Sequence, residues 1–109
     1  MASDYIQELD GENFEQTVGS GMTLVDFFTD WCGPCRMLAP VFEEVAKEMH
    51  EKVRFAKLNV ENTAAIATKH RVTSVPTLIL FKEGKEVHRQ EGLSDANAIK
   101  SLISAGLSA

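Results

Sequence analysis

Thr23-Leu-Val-Asp-Phe-Phe-Thr-Asp-Trp-Cys-Gly-Pro-Cys35 passes from a β-branched and aromatic run into a helix-spaced one, with two cysteines at the junction. Thr23 to Phe28 has the composition of a buried strand. From Pro34 to about His50, apolar residues fall at Met37, Leu38, Val41, Phe42, Val45, Ala46 and Met49, a spacing of three and four that marks one face of a helix. Pro34 suits the first helical position, where its missing N–H costs nothing, whereas Pro40 falls in the interior and predicts a kink. The stretch therefore reads as strand, turn and helix, with Cys32 and Cys35 in the turn.

Before this stretch, Tyr5 to Leu9 reads as a short strand and Glu12 to Val18 as a short helix ended by Gly19-Ser20-Gly21. Val53 to Val60 is a further strand, Thr63 to His70 a short helix, and Thr77 to Lys82 a strong strand. Glu83-Gly84-Lys85 joins that strand to Glu86–Gln90 as a hairpin. Ser94-Asp95 can cap a last helix running to about Ser104, with Ala98, Ile99, Leu102 and Ile103 on its inner face. Strands alternating with helices, then a hairpin and a final helix, imply an α/β fold: a mixed sheet with helices on both faces. Ligand chemistry in such sheets collects at the carboxyl ends of the strands, and the cysteine pair lies at one of them.

The 109 residues show no repeat, low-complexity tract or linker and read as one domain, 1–109. At 44% hydrophobic and 25% charged the composition is that of a globular protein, with no run near the ~20 apolar residues of a membrane span. The first ten residues carry acidic side chains and lack a basic segment followed by an apolar one, so the expected location is the cytoplasm, unprocessed. Eleven basic against sixteen acidic residues give a formal charge of -5, which argues against nucleic acid or an anionic membrane as the main partner. In a reducing cytosol a lone cysteine pair is more often catalytic or metal-binding than structural. The loop it closes is short, worth about 2 kcal/mol in the chain-entropy model, so stability is a poor reason for the pair.

Two cysteines three apart can close a disulfide or, with further ligands, hold a metal. Zinc needs two more ligands, yet His50, His70 and His88 are far apart and no second Cys-X-X-Cys exists. Pro34 also removes an N–H of the kind that bonds the sulfurs of a zinc knuckle. Redox chemistry is favoured, with no metal and no cofactor on the chain. Cys32 falls at or just before a helix start, where unpaired N–H groups and the helix dipole stabilise a thiolate; such thiols have pKa values between about 3.5 and 7.5. Cys35, one turn further in, should be buried and less acidic. Cys32 then attacks a substrate disulfide and Cys35 resolves the mixed disulfide. Arg36 helps by its charge and Asp30 opposes.

Other residues are open to bland readings. Asp26 interrupts an apolar run and can simply face water, Pro76 can merely start the Thr77 strand, and Trp31 can be a packing residue. Met37, Met49 and the phenylalanines read as core, and the three histidines as solvated.

Trp31-Cys-Gly-Pro-Cys35, preceded by Val25-Asp-Phe-Phe28 and followed by Ala56-Lys-Leu-Asn-Val60 and Val75-Pro-Thr-Leu-Ile-Leu-Phe81, resembles the thioredoxin family across almost the whole chain. The resemblance implies the thioredoxin fold, a central mixed sheet of about five strands with four helices. It also implies a buried carboxylate at Asp26, beneath the cysteines and beside a lysine at Lys57, that helps move the Cys35 proton. Burial should raise the Asp26 pKa towards neutrality while Lys57 opposes. It implies a cis Val75-Pro76 bond opposite the cysteines, with the backbone of Val75 pairing with substrate. Trp31, Gly33, Pro34, Val75, Pro76 and Gly92 would form an apolar patch that docks extended segments around a disulfide. The implied activity is a general protein-disulfide reductase acting on disulfide-containing proteins, recharged by an NADPH-dependent thioredoxin reductase; the chain is expected to act as a monomer. Phe28-Thr29, Glu61 and Leu93 depart from the usual residues of the family at the rim, where they bear on partner choice.

Two other functions use the same residues. The scaffold can run as a disulfide oxidant or isomerase, because the residues between the cysteines set the potential, although Gly33-Pro34 favours the reductant by resemblance. It can also serve as a binding module that uses the Trp31, Val75 and Gly92 surface without turnover.

Overall fold

The computed structural model describes residues 3–108; Met1, Ala2 and Ala109, parts of the N-terminal stretch and of the 1–109 span read above, lie outside it. In chain order the described elements are β1 (Ile6–Leu9), α1 (Phe14–Val18), β2 (Met22–Phe28), α2 (Gly33–Met49), β3 (Arg54–Asn59), α3 (Ala64–Lys69), β4 (Thr77–Lys82), β5 (Lys85–Glu91) and α4 (Ala96–Leu107). The strands form one sheet in the order β1-β3-β2-β4-β5. The first three are mutually parallel, and β4 and β5 are antiparallel to their neighbours. This is the expected mixed sheet, with β2 near its centre.

Side-chain alternation along the strands divides the core in two. Leu24, Phe55, Leu78 and Leu80 face one way and pack with Leu38, Phe42, Val45 and Ala46 of α2 and Ile99 and Ile103 of α4. Val25, Phe27, Ala56, Leu58, Ile79 and Phe81 face the other way and meet Phe14 and Val18 of α1, with Ile66 of α3 against them. Both faces of β2, β3 and β4 are covered, so these strands read as continuous apolar runs rather than alternating ones. Asp26 has the parity of Leu24 and therefore points to the α2 side.

Elements differ from the sequence expectation mostly at their ends. α1 begins at Phe14 rather than Glu12, and α4 runs three residues past Ser104. Asp95 caps α4 as expected, its carboxylate accepting from the Ala98 N–H at 2.8 Å. Glu83 and Gly84 form a two-residue β4–β5 loop with φ of 50° and 84°, the doubly left-handed turn that matches strand twist. In α2 Pro34 occupies the second helical position, since Gly33 is the first, and α2 continues as one helix across Pro40.

Two packing expectations are corrected. Met37 is 63% exposed rather than core. The buried stripe of α2 runs Cys35, Leu38, Phe42, Val45 and Ala46, and Met37 lies about 100° round the helix from Leu38. His70 is not solvated like an ordinary surface histidine: its ring lies 5.3 Å from Phe14 and 5.2 Å from Phe81, and its Nε2 is buried with no hydrogen-bond partner among the described residues. Desolvation, the largest influence, holds its pKa below 6.5; Glu15 and Glu86 oppose, and Lys69 and Arg89 reinforce. No helix among the described residues is long and apolar enough to cross a membrane.

Candidate active site

The site is built where β2 delivers the chain to α2. Cys32 is the N-cap of α2, with extended backbone (φ −95°, ψ 115°), and its Sγ accepts from the Cys35 N–H at 3.1 Å. An N-cap side chain normally satisfies one of the orphan N–H groups of a helix start; here a sulfur does so. Cys32 and Cys35 are joined as a disulfide, with Cα atoms 5.2 Å apart. Cys35 lies on the buried stripe of α2, whereas Cys32 is partly exposed and Trp31 beside it is 81% exposed. The two sulfurs thus differ in access and in their relation to the helix end.

Across from the helix start, the Cys32 Sγ lies 3.6 Å from the Val75 carbonyl oxygen. Val75-Pro76 is a cis peptide. On one side of it the Thr77 hydroxyl donates to the Ser74 carbonyl at 2.7 Å, and on the other the Gly92 N–H donates to the Pro76 carbonyl at 2.9 Å. Gly92 has φ of +88°, a conformation that glycine adopts without a steric penalty. The structure thus brings Val75, Pro76 and Gly92 together with Cys32, with Gly33 and Pro34 exposed in the first turn.

Asp26 is 5% exposed, and its Oδ1 has no hydrogen-bond partner among the described residues. Desolvation raises its pKa from 3.8 to about 7, against the lowering influence of the Lys57 ammonium. Asp26 and Lys57 are register partners on β2 and β3, so both side chains lie on the α2 face of the sheet. A cleft of about 270 Å³ lined by Ile6, Asp26, Ala39, Pro40, Glu43 and Lys57 reaches this carboxyl. Lys57 also lies 3.8 Å from Glu8 on β1 and 5.7 Å from the centre of the Phe28 ring.

Sequence reading did not single out Ile6, Ala39, Pro40 and Glu43 at the cleft, nor Glu8 beside Lys57. Strand parity alone places Ile6 and Glu8 on one face of β1. What brings them to Lys57 is the β1–β3 register, and that pairing joins residues about fifty positions apart. Among the described residues no group of three or more His, Cys, Asp or Glu side chains is arranged to hold a metal ion.

The thioredoxin family model matches residues 5–105. The chain is 46% identical over 99 residues to the thioredoxin of Chlamydia trachomatis, a match that spans 91% of this chain and 96% of that protein. Its fold is similar to the crystal structure of Malassezia sympodialis thioredoxin, with a TM-score of 0.85, 29% identity and 96% of each chain covered. It is equally similar to a mutant thioredoxin from Halobacterium salinarum, with a TM-score of 0.84, 38% identity, and 96% of this chain and 94% of that one covered. A likeness of this extent settles the lineage: with Cys32 and Cys35 paired at the start of α2, the chain belongs to the thioredoxin family and is a thiol-disulfide oxidoreductase that works by dithiol–disulfide exchange.

Proposed function

We propose that residues 1–109 act as one domain, a monomeric cytoplasmic protein-disulfide reductase that an NADPH-dependent thioredoxin reductase returns to the dithiol. Proteins of this family act with such a reductase and with disulfide-bonded substrates, and the bacterial relatives are generally cytoplasmic. The observation that carries the reading is the asymmetry of the pair, with Cys32 partly exposed at the N-cap of α2 and Cys35 buried on its inner stripe. Neither nucleic acid nor membrane has a part in it.

In the reduced chain the Cys32 sulfur carries the negative charge. The orphan N–H groups and the dipole of α2 favour that charge at the N-cap. Docking lays an extended substrate segment against Trp31, Gly33, Pro34 and Gly92, with its backbone along Val75 and Pro76. The Cys32 thiolate attacks one sulfur of the substrate disulfide; the substrate S–S bond breaks, a Cys32–substrate disulfide forms, and the second substrate sulfur leaves and takes a proton. Asp26 then accepts the Cys35 proton, and the Cys35 thiolate attacks the Cys32 sulfur. The mixed disulfide breaks, Cys32–Cys35 closes, and the first substrate sulfur leaves and is protonated in turn. Two electrons have passed from the dithiol to the substrate. A carboxyl with a pKa of about 7 suits this base role, because it is largely ionised just above neutrality and still binds a proton well. Lys57 limits how far burial raises that pKa.

Insulin reduction by dithiothreitol tests the reading. The wild-type chain should speed the loss of insulin disulfides well beyond the Cys32→Ser variant, and the oxidised chain should support NADPH consumption by thioredoxin reductase. Equal rates for wild type and variant would rule the reductase out.

A further inference from the structure

Glu8, Lys57 and Asp26 stand in one row across three adjacent strands, with Glu8 opposite Lys57 and Lys57 opposite Asp26. Register partners point to the same face of a sheet, so this row alternates negative, positive and negative beneath α2. Its two carboxylates differ sharply in access: the Glu8 side chain is 62% exposed, that of Lys57 22%, and Asp26 is buried.

Lys57 sits in the wall between two clefts. The outer one, about 460 Å³, is lined by Glu8, Asp10, Asp30 and Asn59, and the inner one, about 270 Å³, by Asp26 and Glu43. Lys57 lines both. Towards the outer side its Nζ is 3.8 Å from Glu8 Oε1 and 5.7 Å from the centre of the Phe28 ring, a position favourable for a cation over an aromatic face. The charged groups around the ammonium are therefore Glu8 from β1, Asp26 from β2, and Asp10 and Asp30 along the outer cleft; α2 adds Glu43 at the inner one.

We propose that Glu8 is a positioning residue for the exchange reaction: it draws the Lys57 ammonium outward, and so governs how readily Asp26 takes the Cys35 proton. Two effects of Glu8 act in the same direction. Its own negative charge disfavours ionisation of Asp26, and its hold on Lys57 keeps part of the compensating positive charge away from the buried carboxyl. Removing the Glu8 charge should therefore make Asp26 ionise at lower pH.

This rests on the reading of Asp26 as the base, and the test separates the two. The Asp26 carboxyl is titrated by carbon NMR in wild type, Glu8→Gln, Lys57→Met and the double variant. Glu8→Gln should lower the Asp26 midpoint by about 0.2 to 0.7 of a pH unit, the size that a partly exposed ion pair supports. In the Lys57→Met background the same substitution should shift it much less. An unmoved midpoint in Glu8→Gln, or an equal shift with and without Lys57, overturns the proposal. The pH profile for release of a substrate thiol from the Cys32 mixed disulfide should move with the NMR midpoint. A moved midpoint with an unmoved profile upholds the hold of Glu8 on the Lys57–Asp26 pair but removes Asp26 as the base, and with it any part of Glu8 in the exchange.

Discussion

Asp26 binds its proton up to about pH 7 in the folded chain, against 3.8 for an ordinary aspartate, so the folded state holds that proton more tightly than the unfolded state does. The resulting stabilisation is complete below pH 3.8 and is lost as the pH rises through about 7. Between pH 5 and pH 8 wild type should therefore lose about 2 to 3 kcal/mol relative to Asp26→Asn, read from urea midpoints across that range. A constant difference at all pH values would contradict it. In the chemical step Asp26→Asn should slow release from the mixed disulfide at neutral pH on the order of a hundredfold, measured by single-turnover quench. Trp31 and Pro76 entered as candidates with the family resemblance, whereas the cysteines were legible from the residues because their type and spacing are local. Asp26 was not: from the residues alone a polar group in an apolar run can point to water, and only the α2 covering of that face of β2 buries it. Met37 shows the converse, since its spacing matched a helix face while its azimuth lies off the buried stripe.

At the scale of elements, α4 packs on β4 and β5, with Gly106 buried in its last turn. A Cβ at Gly106 would overlap Leu80 Cδ2 and come within 3.1 Å of the Met22 side-chain end, and Leu80 is fully buried, so it has little room to yield. Alanine is the better helix former by about 1 kcal/mol, but overpacking a core costs about 1 to 3 kcal/mol. Gly106→Ala should lower the denaturation midpoint despite its helix propensity; a rise would show that Leu80 repacks freely. At the C-terminal end of α3 the His70 ring packs against Phe14 and Phe81, which also touch each other. With its pKa below 6.5, folded His70 releases its proton more readily than unfolded His70, so its contribution to stability falls as the pH drops below 6.5. His70→Phe should lose less stability than wild type between pH 7.5 and pH 5.5, as followed by thermal unfolding. Strand and helix positions were legible because each has a clear period. Their ends were less so: Asp10 accepts from the backbone N–H groups of Glu12 and Asn13, which holds the chain in a turn before α1, and no pattern of apolar spacing encodes that.

Across the whole molecule, the proposed site joins residues from separate regions that meet at one end of the sheet: β2 and the loop after it, the start of α2, the Val75-Pro76 turn and Gly92, with Lys57 of β3 beside Asp26. Composition and periodicity gave an α/β fold with a mixed sheet. The strand order β1-β3-β2-β4-β5 comes from pairings between distant segments, and that order sets Lys57 between Glu8 and Asp26. The central claim is that the pair is directional, with Cys32 attacking and Cys35 resolving. Its most direct test is to mix reduced Cys35→Ser and Cys32→Ser chains separately with a disulfide-bonded substrate and map the adducts by peptide mass. The account predicts a lasting mixed disulfide on Cys32 in the first variant and little or none on Cys35 in the second; adducts of equal yield on Cys35 would contradict it.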